Sequence, residues 1–463
     1  MFVKNKSSLI KLSRNISEEN ILTSLVDIIE FILEQAQPKN LLSSFVTISD
    51  DVLKIKEDNY NLDLYENFYL VSFGKASQTM SNWLLERFPK NFSRIIIVSP
   101  DDKIPELSGF TNLDFHKTGH PKPDQESLNA AENVITLLEN STSKDLCLFL
   151  ISGGGSSLLE YPDFGLSLDE YSRLVEIMLS CGASISDLNI IRKHFSKIKG
   201  GKLTKSSEAS IVTLVISDVV GNDLSTIASG PTVPDSTTWN DCGEIVSKYS
   251  LDSSLPDSIK VILKKGIDGL IEETPSDEKN FSHVKNYIVG DNLGLLELLS
   301  TKLRLNATSE IIDHRIQGEA KEIGEKFADV ANTLLANLKQ EKNKTIHYLL
   351  FGGETTVKLS SLRGRGGRNQ ELALSFALSS EYSDSIYFVS LGSDGIDGNS
   401  NAAGAIVGPF TITSREKELE AEKSLVENNT NSFFKKHGGE ILTGHTGTNL
   451  MDIGVICIVI GKD

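Results

Sequence analysis

Residues Leu146–Ser157 read LCLFLISGGGSS, an apolar run that stops in a loop of glycine and serine. The run Leu146–Ile151 has the length and composition of a strand. The loop after it, Ser152, Gly153, Gly154, Gly155, Ser156 and Ser157, can present backbone amides and hydroxyls to an anion, or else is a tight structural turn. It has neither the lysine nor the spacing of a Walker loop.

Working upstream, Phe68–Phe73 is a second strand, Gly74 turns the chain, and Lys75 stands where a helix begins near Ala76. A cation at a helix N-terminus opposes the macrodipole, so an anion held between the two explains Lys75 better than a solvent-facing lysine does. Arg94–Ser99 and Asp114–Lys117 read as further strands, and the loop TGHPKPDQ leads to a helix over Glu126–Leu138. Downstream, helical spacing covers Leu168–Leu179 and Ser186–Lys199, where Arg192, Lys193, Lys197 and Lys199 either satisfy a helix C-terminus or meet a ligand. The strand Ile211–Ile216 then delivers Ser217 and Asp218 to the loop VVGNDLSTIASGPTVPD. Asp218 and Asp223 suit a divalent cation, with helix capping as the competing role. Strands alternating with helices imply an α/β fold with a parallel sheet, and ligands of such sheets sit at the loops after the strands.

The chain has 463 residues, more than one hydrophobic core usually serves, so two domains are expected. The pattern degrades into polar, proline-containing connections between about 236 and 282, which puts the boundary at 1–282 and 283–463. In the second half, Phe351–Glu371 reads FGGETTVKLSSLRGRGGRNQE: a strand end, a loop carrying Arg363, Arg365 and Arg368 among glycines, and a helix start. Guanidinium groups grip phosphate or carboxylate oxygens in pairs, and these three work against a formal net charge of −17. A dianionic substrate suits them. The strand Ile386–Leu391 ends in Gly392–Gly398, whose Asp394 and Asp397 suit a metal or a hydroxyl as readily as an Asx turn. A charged helix over Ser414–Lys436, the glycine loop TGHTGTN and a strand over Gly454–Ile460 complete the chain.

The acidic balance argues against nonspecific nucleic-acid or anionic-membrane binding, both of which need a basic face. Cys147, Cys181, Cys242 and Cys457 are scattered, as expected of reduced thiols in a cytoplasmic protein. The first residues lack the apolar stretch of a secretory signal, and no run is long enough to cross a membrane. The amphipathic helix opened by Ser17, Glu18 and Glu19 has a packing role.

FGKAS at Phe73–Ser77, TGHPKPD at Thr118–Asp124, SGGGSSLL at Ser152–Leu159, SDVVGNDLSTIASGPT at Ser217–Thr232, GGE at Gly352–Glu354, GRGGRNQEL at Gly364–Leu372 and SDGIDG at Ser393–Gly398 together resemble the glycerate 2-kinase family with a MOFRL C-terminal domain, also known under the name hydroxypyruvate reductase. The resemblance covers nearly the whole chain. It implies a Rossmann-like N-terminal domain, a smaller α/β domain with the active-site cleft between them, and transfer of the ATP γ-phosphoryl group to the 2-hydroxyl of D-glycerate with Mg2+. Where the family has a second acid after the glycine of its aspartate loop this chain has Asn222, and where it has proline this chain has His445.

On this reading Lys75, Arg365 and Arg368 neutralise the phosphoryl group in flight, and Asp218 or Asp397 accepts the hydroxyl proton. Gly74, the loop Ser152–Ser157, Glu354, Gly366, Gly367, Asn369 and Asp397 contact substrate or nucleotide, and metal binding falls to Asp218, Asp223 or Asp394. The partners are then D-glycerate and ATP, with the protein a monomer or a homodimer. Two other classes compete: an NAD(P)H-dependent hydroxypyruvate reductase, for which no strand carries a GxGxxG fingerprint, and a noncatalytic nucleotide- or anion-binding protein.

Overall fold

The computed structural model describes residues 1–338, 345–360, 364–381 and 384–460, so Arg363 lies outside it. The chain divides into two compact units, Leu41–Val289 and Met1–Asn40 together with Gly290–Asp463.

In the first unit, β1 (Val46–Ile48), β2 (Val52–Ile55) and β3 (Asp58–Asn61) form a small antiparallel sheet. The main sheet comprises β4 (Asn67–Phe73), β5 (Arg94–Ser99), β6 (Leu113–Lys117), β7 (Asp145–Ile151), β8 (Ser210–Ile216) and β9 (Val284–Gly290), in the order β6-β5-β4-β7-β8-β9. β4 runs parallel to β5 and β7, as do β5 to β6 and β7 to β8. Counted from β4 this is the doubly wound order 3-2-1-4-5-6, whose direction reverses between β4 and β7. Every residue of β7 is buried, as expected of a central strand covered on both faces. The helix Gln125–Glu139, begun by an Asp124–Ser127 capping box, lays Ala130, Ala131, Val134 and Leu138 into the core with Val71, Phe73, Ile96 and Val98. A separate core around Tyr171, Phe195 and Trp239 joins the helices Leu168–Ser180, Ile185–Phe195, Trp239–Lys248 and Asp257–Ile267.

The second unit holds β10 (Thr308–Ile316), β11 (Thr345–Gly353), β12 (Ile386–Gly392), β13 (Gly404–Val407), β14 (Glu440–Ile441) and β15 (Asp452–Ile460), in the order β10-β11-β15-β12-β13-β14. Only β10 and β11 are parallel among these neighbours; β15 runs antiparallel to β11 and to β12. The sheet is therefore mixed, where strand–helix alternation alone suggests a parallel one. Phe388 of β12 stacks on Phe376 of the helix Arg368–Ser379, with ring centres 4.2 Å apart, and on Phe351 of β11 at 5.4 Å.

These units depart from the expected 1–282 and 283–463 division at both ends. The helix Ile16–Gln35 buries Leu22, Leu25, Val26, Ile29, Ile32 and Leu33 in the second unit, where Lys302 also caps the Phe31 ring at 3.9 Å. Before it, Asn5 exchanges hydrogen bonds with Glu440 and Leu442. An apolar stripe states that a helix must be covered, not by which part of the chain. β9, in turn, is the last strand of the first sheet. The expected helix Ser414–Lys436 is two helices, Arg415–Val426 and Thr430–His437, because Asn428 takes φ +50° between them.

Candidate active site

The reversal between β4 and β7 leaves a crevice at the carboxyl ends of those strands, and the loops leaving them are bonded together there. Ser152 N donates to Phe73 O at 3.2 Å and Lys75 N to Gly153 O at 2.9 Å. Ala76 N, at the N-cap of the helix Ser77–Leu85, donates to Ser152 Oγ at 2.9 Å. Two glycines set how close the walls come. A Cβ on Gly153 would overlap the Asp218 carboxylate, and Gly154, at φ +84°, lies under the His120 ring with the Lys75 side chain beside it. Lys75, Asp218, His120 and the loop Ser152–Ser157 are thus neighbours, brought by four separate segments to the ends of β4, β7 and β8.

Charge in this crevice is unevenly matched. Lys75 is half-buried, and its ammonium makes no hydrogen bond or ion pair among the described residues. Burial pushes the Asp218 carboxyl above the usual range, and the Lys75 charge pulls it part of the way back. Burial and then the same Lys75 charge lower the His120 pKa, which keeps its imidazole neutral near pH 7. Not every loop hydroxyl faces outward: Ser157 Oγ donates to Gly154 O at 3.3 Å, and Ser156 Oγ lies 3.0 Å from Ser229 Oγ. Ser229 in turn donates to Asn189 Oδ1 at 3.0 Å, which ties the serine loop to the helix Ile185–Phe195.

Several candidates have structural work instead. Asp223 accepts from Ser225 N at 2.9 Å, Ser225 Oγ at 2.8 Å and Thr226 Oγ1 at 2.9 Å, so its carboxylate caps the following turn. Burial works against the charge there, but those hydrogen bonds prevail and lower its pKa. Among the four cations near Gly200, Lys193 pairs with Asp235 at 3.2 Å and Lys199 with Glu160 at 3.0 Å, both pairs buried. Asn222, at φ +60°, occupies a left-handed position that asparagine tolerates well.

In the second unit the arginine loop meets its own carboxylates. Arg368 Nε and Nη2 contact Asp452 Oδ2 and Oδ1 at 2.6 and 3.0 Å, and Nη1 contacts Glu354 at 2.8 Å. The start of the helix Arg368–Ser379 is filled as well: Asp397 accepts from Asn369 N and Gln370 N at 2.9 Å each. A helix start favours an anion, and here the protein supplies one itself. Burial pushes Asp397 up to about 7, against the pull of those amides. Asn369 Nδ2 also reaches Asp452 at 2.9 Å while its Oδ1 accepts from Ser390. Asp394 turns its carboxylate to Ile396 N at 3.1 Å, an Asx turn. Gly366 N donates to Asn399 Oδ1 at 2.9 Å, and Gly367 packs against Asp397 too closely for a side chain. Arg365 is exposed; its guanidinium reaches Asn401 at 3.3 Å and has no carboxylate partner among the described residues.

Two residues of these constellations escaped the sequence reading. His120 sits in TGHPKPD, a motif that draws the eye to its prolines. Asp452 opens β15, and the apolar run behind it hides that its side chain projects at the strand start between Gly353 and Gly392. Among the described residues no three His, Cys, Asp or Glu side chains gather to hold a metal ion. None of the described helices is long and apolar enough to cross a membrane.

A doubly wound sheet with a lysine and a glycine–serine loop at its reversal point defines a class, the α/β proteins that hold an anionic small molecule at the strand ends. Residues 24–264 match the family described as a domain of unknown function, DUF4147, and residues 347–452 match the MOFRL family. The chain is 34% identical to a glycerate 2-kinase of Pyrococcus horikoshii over 93% of its own length and 95% of that protein's. It is 35% identical to a D-glycerate 2-kinase of Thermotoga maritima, covering 88% of this chain and 94% of that one. An Agrobacterium vitis relative, 35% identical over 84% of this chain and 86% of its own, carries a provisional hydroxypyruvate reductase name. The crystal structure of a Thermotoga maritima glycerate kinase superposes with a TM-score of 0.79 at 31% identity, covering 98% of this chain and all of that one. The chain belongs to the glycerate 2-kinase family that joins a DUF4147 domain to a MOFRL domain.

Proposed function

We propose that this protein is an ATP-dependent kinase that phosphorylates the 2-hydroxyl of D-glycerate, releasing ADP and 2-phospho-D-glycerate. The observation that carries the reading is the Lys75 ammonium, without a partner among the described residues and beside the Ser152–Ser157 loop, in a chain related over most of its length to glycerate 2-kinases. In this reaction the substrate hydroxyl oxygen bonds to the γ-phosphorus, the bridging oxygen leaves with ADP, and the hydroxyl proton passes to a carboxylate. The transition state spreads negative charge over the oxygens in transit, so catalysis is mainly positioning and neutralisation. Lys75 supplies that charge, and Asp218, whose carboxylate accepts no side-chain hydrogen bond among the described residues, receives the proton. Within the second unit Arg365 is an exposed cation with no carboxylate partner among the described residues. Arg368, already matched by two carboxylates, holds Asp452 and Glu354 in place.

Magnesium in phosphoryl transfer is typically held by one or two protein carboxylates plus phosphate oxygens, so the lack of a three-acid cluster among the described residues is compatible with it. Asp223 and Asp394 are engaged in their own turns and Asp218 is assigned to the proton, so none of the three is assigned to the ion. When bound, the ion neutralises phosphate charge.

The test is ADP formation on mixing the purified protein with ATP and D-glycerate, followed by assignment of the phosphorylated carbon by phosphorus–proton correlation. Phosphate on carbon 3, or no glycerate-dependent ADP, rejects the proposal. The 3-2-1-4-5-6 order also suits a dinucleotide and keeps a reductase reading in play. The loop after β4, however, reads FGKAS with no GxGxxG, and absence of hydroxypyruvate-dependent NADH oxidation dismisses it.

A further inference from the structure

The second unit contains a cavity of about 490 Å3 lined by Thr355, Thr356, Val357 and Leu359 along one wall, with Glu371 and Asn428 at its polar end. The glycines Gly364, Gly366 and Gly367, with Arg368, complete the lining. This wall is built rather than draped. Thr356 N donates to Gly318 O and Ala320 N to Thr356 O, both at 2.8 Å, while Lys358 N donates to the Glu319 carboxylate at 2.9 Å. Asn428 closes the other side, with its Oδ1 accepting from Ser360 N at 2.7 Å and its Nδ2 donating to Glu371 Oε2 at 3.2 Å. The left-handed turn at Asn428, which breaks the expected long helix, is what brings that amide here.

Glu371 is the unexplained group. It is 4% exposed and lines the cavity, yet its Oε1 has no hydrogen-bond or ion-pair partner among the described residues. That oxygen is accessible from the cavity and is open to whatever fills it. We propose that this cavity receives the purine base of the phosphoryl-donor nucleotide and that Glu371 reads the base edge. The volume lies in the range of small-molecule sites, and an apolar wall with a few convergent polar groups suits a flat heteroaromatic ring. A carboxylic acid can donate to a ring nitrogen of adenine while accepting from its exocyclic amine. Burial raises the Glu371 pKa to about 7, so the protonated form this requires is present near neutrality. An ionised carboxylate would select guanine instead, whose neighbouring ring N–H and amino group are both donors. Arg368 lines the same cavity, with its guanidinium matched by Asp452 and Glu354, and Arg365 lies between two of the lining glycines in sequence.

The inference rests on the kinase reading, and the test separates the two. Hydrogen exchange of the intact protein is measured with adenosine, with guanosine and with D-glycerate, and KM for ATP and for D-glycerate is measured for Glu371→Leu and Glu371→Gln. Adenosine should protect residues 355–359 and 428. Glu371→Leu should raise KM for ATP more than tenfold with KM for D-glycerate within twofold of the parent, and Glu371→Gln, which keeps one donor and one acceptor, should raise it less than Glu371→Leu does. Protection by adenosine without any glycerate-dependent ADP formation would leave the pocket assignment standing and remove the kinase reading. No nucleoside protection at 355–359, protection there by D-glycerate instead, or an unchanged KM for ATP in Glu371→Leu would overturn the pocket assignment. Should Glu371→Leu fail to fold, the exchange measurement on the parent protein decides alone.

Discussion

Arg368 and Asp452 form a two-point contact, Nε to Oδ2 at 2.6 Å and Nη2 to Oδ1 at 3.0 Å, that fastens the start of a helix to the start of the central strand β15. Asp452 is 6% exposed, and burial pushes its pKa up against the opposing pull of the guanidinium. Removing one partner of a buried pair strands the other's charge, at a cost of ~3–5 kcal/mol when both are fully buried. The Arg368 side chain keeps 30% exposure and retains Glu354, so Asp452→Ala should cost less, about 2 kcal/mol. Urea unfolding followed by far-UV circular dichroism checks this; Trp83 and Trp239, the only tryptophans, belong to the other unit and make a poor reporter. A midpoint equal to that of the parent would show that the pair contributes nothing to stability.

Gly153 gives a sharper test of the crevice. Its backbone is not left-handed, so alanine introduces no φ strain; the added methyl simply occupies the space of the Asp218 carboxylate. Gly153→Ala should displace Asp218 by about 1 Å and lower kcat/KM on the order of 100-fold, while the unfolding midpoint moves little. Gly221→Ala makes the contrast: at φ +83° with open space around it, it should cost about 1 kcal/mol of stability and little activity. Equal activity in the two variants would argue that Asp218 is outside the reaction.

Lys75 and Asp218 are electrostatically linked, and the link has a sign. The ammonium favours the ionised carboxylate, so removing it raises the Asp218 pKa further above the ordinary carboxylate range. If ionised Asp218 accepts the proton, activity is lost as pH falls through its pKa. Lys75→Ala should therefore lower kcat more than tenfold with the fold intact and move the acid limb of the residual activity to higher pH. A pH–rate profile from about 5 to 9 reads both effects. A limb that stays in place in Lys75→Ala would separate the two residues functionally.

How much of this was legible beforehand depends on the range over which each signal acts. The strands β4, β5, β7 and β8 announced themselves because strands buried on both faces are continuous apolar runs. β10, reading TSEIIDHRI, is an edge strand with only Ser309 and Ile316 fully buried and carries no such run, so it was missed. Lys75, the serine loop and Asp218 were found because each directly follows a strand. The matching of Arg368 by Asp452 and the filling of a helix start by Asp397 were not visible, since both depend on pairing between segments 84 and 28 residues apart. The coverage of the helix Ile16–Gln35 was hidden for the same reason: periodicity identifies a buried face and leaves its partner open.

Glu371 makes the stability of the protein itself pH-dependent. Its carboxyl is pushed up to about 7 by burial, with the Asn428 amide opposing, whereas an unfolded glutamate titrates near ~4.3. Between those values the folded protein holds a proton that the unfolded chain has released. Stability from this group is complete below about pH 4 and is lost as pH rises through about 7. The full difference corresponds to at most about 3–4 kcal/mol at pH 8. Asp397, raised to about 7 as well, contributes in the same direction, so the parent protein alone cannot assign the effect. The difference between Glu371→Gln and the parent can: glutamine does not titrate, and the Asp397 contribution cancels. Glu371→Gln should be close to neutral at pH 5 and stabilising by at least about 1 kcal/mol at pH 8, read from urea midpoints at the two pH values. A difference that is flat with pH would place the Glu371 pKa back in the ordinary range. Its free oxygen would then be solvated, and the cavity beside it would lose its polar reader.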